Sequence, residues 1–381
     1  MARVEPHIGE HERSAPHLTV PSWRDRLPDD ASWDRLSSRA GEPNPFFERW
    51  FLRPSLDAFD RAGRVRLAQL RVDGELVALM PLTFRANYYH RPAPHMTTWL
   101  HDNAFCGVPL IAPGFEAIFW STLLRWVDTN SRLAAFLHLP GMPKECAPSA
   151  ALAEVIGEDA RPAAVVACEA RALLVSELSA EDYYTAALPN KKRKELRRQA
   201  RRLGEHGNVT VERVSTPDAM AQFAEEFLTL EAASWKGREG SALASSARHA
   251  RFFRESMAGA ARLGRVEGLS LRLDGQPVAM LVTLLTPPGS FSFKTAFDER
   301  YARCSPGVLL QKENLDLLER EDIAWCDSCA APDHPMIDHF WRDHRSFVSH
   351  NLAIGSGARR VLGAKLIAYE SRHCEEEGAA A

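Results

Sequence analysis

Two segments far apart in this chain carry the same pattern, and no other feature constrains the fold as strongly. Residues 70–79 read LRVDGELVAL and residues 271–280 read LRLDGQPVAM. Leu70, Arg71, Asp73, Gly74, Val77 and Ala78 match Leu271, Arg272, Asp274, Gly275, Val278 and Ala279. In each, Asp-Gly separates two apolar runs. A two-residue turn of the mirrored kind needs positive φ at both central positions, which Asp tolerates and Gly adopts freely. Each segment is therefore expected to form a β-hairpin. Hairpins resemble one another, so whether a whole unit is duplicated depends on what surrounds them.

The surroundings repeat as well. Helical residues 44–60 precede the first hairpin, and a helix over 115–129 and an apolar strand over 133–139 follow it. The second hairpin, over 269–285, comes after a strand at 209–214 and helices at 217–234 and 245–263. A strand at 291–297, a helix at 305–320 and a short strand at 323–327 follow. These patterns predict an α/β (α+β) protein of two mixed-sheet halves with flanking helices. The expected divisions are a loose leader over 1–40, a first half over 41–180, a second half over 181–356, and a helix with a frayed tail over 357–381. The join falls near 178–208.

Bulk properties narrow the function. A chain of 381 residues can bury two sizeable cores. A net charge of −3 supplies no global field for nucleic acid or anionic lipid. No run of about 18 apolar residues is present, so no membrane span is expected. The N-terminal stretch lacks the apolar centre of a signal peptide. Seven scattered cysteines do not make a disulfide framework in a chain this long, and a reducing, cytoplasmic setting is expected. Eight of the twelve residues from Lys191 to Arg202 are Lys or Arg. Leu196 and Leu203 share a face there, giving an amphipathic helix. With no aromatic residues interleaved for base stacking, a solvated helix joining the halves is favoured over a nucleic-acid site, although phosphate contacts from it stay open.

The stretch Ser290–Glu319 reads strand, loop, helix. Ser305 suits an N-cap, Pro306 the first helical position, and Gly307 a close backbone approach. Free amides of Gly307, Val308 and Leu309 would form an anion site at the helix start. Capping alone explains the same residues. Lys294 and Asp298 share a face of an extended segment. Asp298 suits a general base and Lys294 suits an acidic acceptor, or the two form a surface ion pair. Trp235 and Lys236 follow a helix carrying Glu231 and suit a ligand-gripping loop, although a Trp there can equally be core. Asp327 ends an apolar strand, where an α/β protein often places a functional side chain. His334 titrates near neutrality. The alternatives are a loop cap for Asp327 and a solvated turn for His334. Cys326, Cys329, His334 and His339 have zinc-knuckle spacing. Cys326 lies in an apolar strand, however, and the segment lacks glycines, so no metal is expected.

The run from Tyr301 to Leu310, with Phe293–Asp298, Ser234–Arg238 and the basic run from Lys191, resembles a branch of the GNAT acyltransferase superfamily. That branch holds the acetyltransferases associated with cellulose biosynthesis and is related to the Fem-type aminoacyltransferases of peptidoglycan. The resemblance covers residues 185–355 and extends more weakly over 44–180. Arg303 fits the first place of the general signature, while Pro306 and Val308 replace its small residues. The resemblance implies a tandem GNAT-like fold with a degenerate first half and one site for acetyl-CoA or another acyl-CoA. Pantetheine would lie between the strand ending near Phe297 and the strand at 323–327. Phe297, Arg303, Ser305, Gly307, Val308 and Leu309 would hold the cofactor, and Trp235, Lys236, Lys294 and His334 would face a small-molecule acceptor. Asp298 is the first candidate base and Asp327 the second. The expected activity is N-acyl transfer. A Fem-like use of aminoacyl-tRNA and a non-catalytic binding module are the alternatives.

Overall fold

The computed structural model describes residues 15–332, 334, 337 and 340–379. Its strands are β1 (His17–Thr19), β2 (Arg66–Val72), β3 (Glu75–Tyr88), β4 (Arg91–Thr98), β5 (Leu110–Ile111), β6 (Phe136–Pro143) and β7 (Ala163–Leu174). They continue with β8 (Val209–Val214), β9 (Val266–Leu273), β10 (Gln276–Thr286), β11 (Gly289–Phe297), β12 (Trp325–Asp327) and β13 (Asp343–Ala353). Along one continuous sheet the order is β1-β2-β3-β4-β6-β13-β7-β12-β11-β10-β9-β8, with β5 paired to β3.

The expected repeat is present in that order. β2–β3 and β9–β10 are the two hairpins, and Asp73, Gly74, Asp274 and Gly275 all have positive φ. Each half has a hairpin followed by a strand that pairs with a later one in parallel: β4 with β6, and β11 with β12. The halves then exchange a strand. β7 follows the first half in the chain yet pairs with β12 of the second, while β13 pairs with β6 of the first. β7 and β13 also pair with each other over ten residue positions and seal the two halves into one sheet.

The core is shared too. Phe46 and Phe51 pack edge-to-face on Phe291 and Phe252 at 5.6 and 5.2 Å between ring centroids. Helix Ala247–Arg262 lies so close to the first half that a Cβ on Gly259 would meet the Trp50 Cβ at 3.0 Å. Such interlocking aromatic burial favours a single cooperative unit over two independent domains.

Two expectations need correction. Described residues before Arg39 are not a loose leader: β1 pairs with β2, and helix Asp30–Arg39 buries Trp33 and Leu36 in the core. The helix expected over 305–320 is an α-helix only over Pro306–Glu313 and tightens to a 3₁₀ turn over Asn314–Glu319. Helix Gly357–Ala379 closes the chain, and its Arg360 pairs with Asp128 at 2.8 Å. No helix among the described residues is long and apolar enough to cross a membrane.

Candidate functional site

β11 and β12 run side by side for only three pairs, Gly289–Trp325, Ser290–Cys326 and Phe291–Asp327. Beyond them the strands part for two local reasons. On β11 the register against β10 slips at Val282/Thr283, leaving Phe293 as an extra residue, and such a bulge bends a strand. After β12 the Asp327 Oδ1 accepts the Cys329 amide at 2.7 Å, with Cys329 in the left-handed region at φ 51°. That turn leads the chain toward β7, where the Ser328 amide donates to the Ala172 carbonyl. A cavity of about 310 Å³ fills the opening, walled by residues 292–297 of β11 and by Ser328–Ala331.

Five of the residues expected from sequence meet there: Trp235, Lys236, Lys294, Phe297 and His334. The Lys236 ammonium reaches the open edge of β11, donating to the Thr295 carbonyl at 3.4 Å and to Glu231 Oε1 at 3.3 Å. Glu231 is itself buried and accepts the Leu243 amide at 2.8 Å. Gly237 makes this short turn possible, because a Cβ there would fall 1.8 Å from the Ala232 carbonyl oxygen. Lys294 stands over the rings of Phe293 and Phe105 at 5.4 and 5.8 Å, with no carboxylate within 4 Å among the described residues. Burial, aided by the neighbouring Lys236 charge, pulls it down to about 8. Cys329 also lines the cavity, but burial pushes its thiol well above the ordinary value, so it is a poor nucleophile.

The two candidate bases sit elsewhere. Asp298 does not line the cavity. Its carboxylate caps the following 3₁₀ turn through the Arg300 amide at 2.9 Å and pairs with the Arg300 guanidinium at 2.6 Å. Those contacts hold it below the ordinary carboxylate range, which makes it a weak base. Asp327 is fully buried beneath the opening, bound to the Cys329 amide and 3.5 Å from Arg171 Nη1. It shapes the opening and does not face it.

Arg303, Ser305, Gly307 and Val308 stand at the start of helix Pro306–Glu313 and do not line the cavity. Ser305 occupies the N-cap position in a left-handed conformation, and its side chain makes no cap bond. Its carbonyl accepts the Val308 and Leu309 amides at 3.0 and 3.1 Å. Those two amides are therefore not free as expected, which leaves Gly307 as the donor of the first turn that this carbonyl does not take. Leu309 faces a different cavity, under the basic helix. Cys326 packs into one apolar cluster and Cys329 against another, while His339 lies outside the described residues.

Sequence reasoning missed the contribution of the first half. Phe105 lines the opening, and its backbone carbonyl accepts Arg171 Nη2 at 2.8 Å. A second cavity of about 530 Å³ shares Phe105, Cys329, Ala330 and Ala331 with the first and extends along the seam to Glu169, Arg171 and Ser349. In the first half a loop of that half bonds to β6 beyond its pairs with β4, and a cavity of about 490 Å³ is lined there by residues 97–100 and Pro140. There the Gly107 amide donates to the Gly141 carbonyl, and a Cβ on Gly107 would fall 1.9 Å from the Pro140 carbonyl oxygen. In sequence, Cys106-Gly107-Val108-Pro109 is only a faint echo of Ser305-Pro306-Gly307.

Residues 190–334 match the sequence model of the acetyltransferase (GNAT) domain. No curated protein sequence matches the chain significantly. Among solved structures, FemX is similar at 9% identity over 86% of this chain and 97% of that one, with a TM-score of 0.54. A conserved protein of unknown function from Bacteroides thetaiotaomicron is similar at 12% identity over 88% of this chain and 100% of that one, with a TM-score of 0.55. At those identities the likeness is one of fold. The GNAT likeness in sequence thus lies in residues 190–334, and the chain as a whole is a mixed α/β protein whose two halves repeat one strand order.

Proposed function

We propose that this protein is an acyltransferase that carries an acyl group from a coenzyme A thioester to the amine or hydroxyl of a small acceptor. The observation that supports this reading best is the opening between β11 and β12, walled on one side by a strand edge whose backbone groups have no neighbouring strand. Such an edge can hydrogen-bond an extended amide-bearing arm as a strand would. The Gly307 amide and the helix dipole behind it suit the donor's phosphates, with Arg303 exposed beside them.

The acceptor would enter along the seam, since the two cavities meet at Phe105 and Cys329. Its nucleophile forms a bond to the acyl carbon, the carbon–sulfur bond breaks, and the thiol leaves with the proton that the acceptor gives up. With Cys329 protonated, direct transfer is favoured over an acyl-cysteine intermediate. Lys294, at the meeting point of the cavities, would hold an acidic group of the acceptor. Orientation of two bound reactants supplies much of the rate.

The test is a calorimetric titration with acetyl-CoA and longer acyl-CoAs. Saturable micromolar binding is expected, weakened by Thr295→Trp in the opening and by Gly307→Glu at the helix start. Absence of binding to every acyl-CoA would sink the reading and bring aminoacyl-tRNA forward as donor.

A further inference from the structure

The helix Asn190–Gly204 does not carry its charge as a solvated helix should. Arg193, Leu196, Arg197, Ala200 and Leu203 fall on one stripe at helical spacing, and all five line a cavity of about 500 Å³. Lysines 191, 192 and 194 and Arg198, Arg201 and Arg202 do not line it. Arg193 is therefore half-buried on the cavity side and Arg197 stands exposed at its mouth, although an amphipathic helix ordinarily turns its cations fully outward.

The cavity has two chemically distinct parts. Its floor is apolar: Leu203 is 0%, Leu271 3% and Leu309 7% exposed. Its rim holds Arg193, Arg197, Lys312, Glu181 and Glu313. Lys312 is taken by Glu313 at 3.4 Å and stands over the Tyr184 ring at 5.5 Å. Arg193 and Arg197 have no carboxylate within 4 Å among the described residues, and exposed Glu181 is the remaining acid. Arg193 Nε is buried and takes no acceptor. The buried Nε of Arg193 is thus a donor in want of an acceptor, which an anion at the cavity mouth would supply.

We propose that this cavity binds a small amphipathic anion, an alkyl or aryl phosphate or carboxylate, with its apolar body on the leucine floor and its head group between Arg193 and Arg197. The site is separate from the opening between β11 and β12, with which it shares no lining residue. It needs no acyl-transfer activity to exist and does not rest on that reading. Planar arginine forks suit phosphate and carboxylate oxygens, and four-residue spacing places two of them on one head group.

Octyl phosphate, inorganic phosphate and octanol are titrated calorimetrically into the full chain, with and without saturating acetyl-CoA. Octyl phosphate is expected to bind at least about tenfold more tightly than inorganic phosphate or octanol. Arg193→Gln with Arg197→Gln should weaken it by a similar factor, and Ala200→Trp, which fills the cavity, should abolish it. Thermal midpoints near that of the parent confirm that the variants fold, and either one alone keeps the test valid. Equal binding of octyl and inorganic phosphate would reduce the site to a surface anion patch and overturn the proposal. Indifference to the variants, or full displacement by acetyl-CoA, would overturn it as well.

Discussion

The guanidinium of Arg171 lies 3.5 Å from the carboxylate of Asp327, the first on β7, which follows the first half, and the second on β12 of the second half. Arg171 also holds the Phe105 carbonyl at 2.8 Å and stacks on Phe347 at 3.4 Å. It faces Arg345 directly across the β7–β13 pair, and Arg345 is in turn paired with Glu42 at 2.8 Å. A buried and a half-buried arginine side by side are tolerable because each has its own acid. The cluster thus ties the turn after β12, the Phe105 wall and the seam together.

Asp327→Asn should therefore act on the fold and not on chemistry. Removing Asp327 leaves the buried Arg171 only the exposed Glu169 at 3.6 Å, a loss of at most about 3–5 kcal/mol. Denaturant unfolding should show that loss, while turnover per folded molecule stays close to the parent. Unchanged stability with collapsed turnover would return Asp327 to the mechanism.

Asp298→Asn should leave turnover within about tenfold, since losing a true general base costs about 10²–10⁴. The variant forfeits the Arg300 pair and part of a turn cap. A steady-state comparison at saturating substrates decides it.

Lys294 should trade stability for binding. Its folded value of about 8 lies below the ordinary 10.5, so the fold holds this proton more weakly than the unfolded chain does. The penalty is complete below pH 8 and is relieved as the pH rises toward 10.5, on the order of 3 kcal/mol at neutral pH. Lys294→Met should raise the thermal midpoint at pH 7 while raising KM for an acidic acceptor. A lower midpoint would show that the ammonium is compensated.

Glu48 sets a second pH dependence, in the opposite sense. Burial pushes its carboxyl up to about 7, despite Arg265 and the Trp50 indole N–H at 2.7 Å. Its folded value exceeds its unfolded 4.5, so its contribution is full below that pH and is lost as pH rises through 7. Glu48→Gln should flatten the stability profile between pH 5 and 8, read as thermal midpoints across buffers. An unaltered slope would assign the dependence to other groups.

Much of the architecture was legible because it is local. The two Asp-Gly turns announce themselves through the φ they require, and strand Val209–Val214 and helix Pro217–Ala233 follow from periodicity and from a proline in the first turn. Trp235, Lys236, Lys294, Phe297 and His334 come together along one cavity because they flank the strand and helix ends that frame it. Asp298 and Asp327 misled for a shared reason. A carboxylate at a strand end looks the same in sequence whether it faces a ligand, caps a turn or pairs with an arginine. Phe105 and Arg171 carried no local signal, since their partners are remote in the chain.

The sequence by itself determined two repeated hairpin units, their flanking helices and the basic amphipathic helix, because turn stereochemistry and apolar spacing act over a few residues. Which strands β7 and β13 would pair with, that the Gly107 loop would bond to β6, and that β11 and β12 would part over a cavity came only from the tertiary structure. Those outcomes depend on strand pairing and close packing between residues more than a hundred positions apart, such as Arg171 with Asp327, where burial and charge compensation select one arrangement from many with the same local pattern.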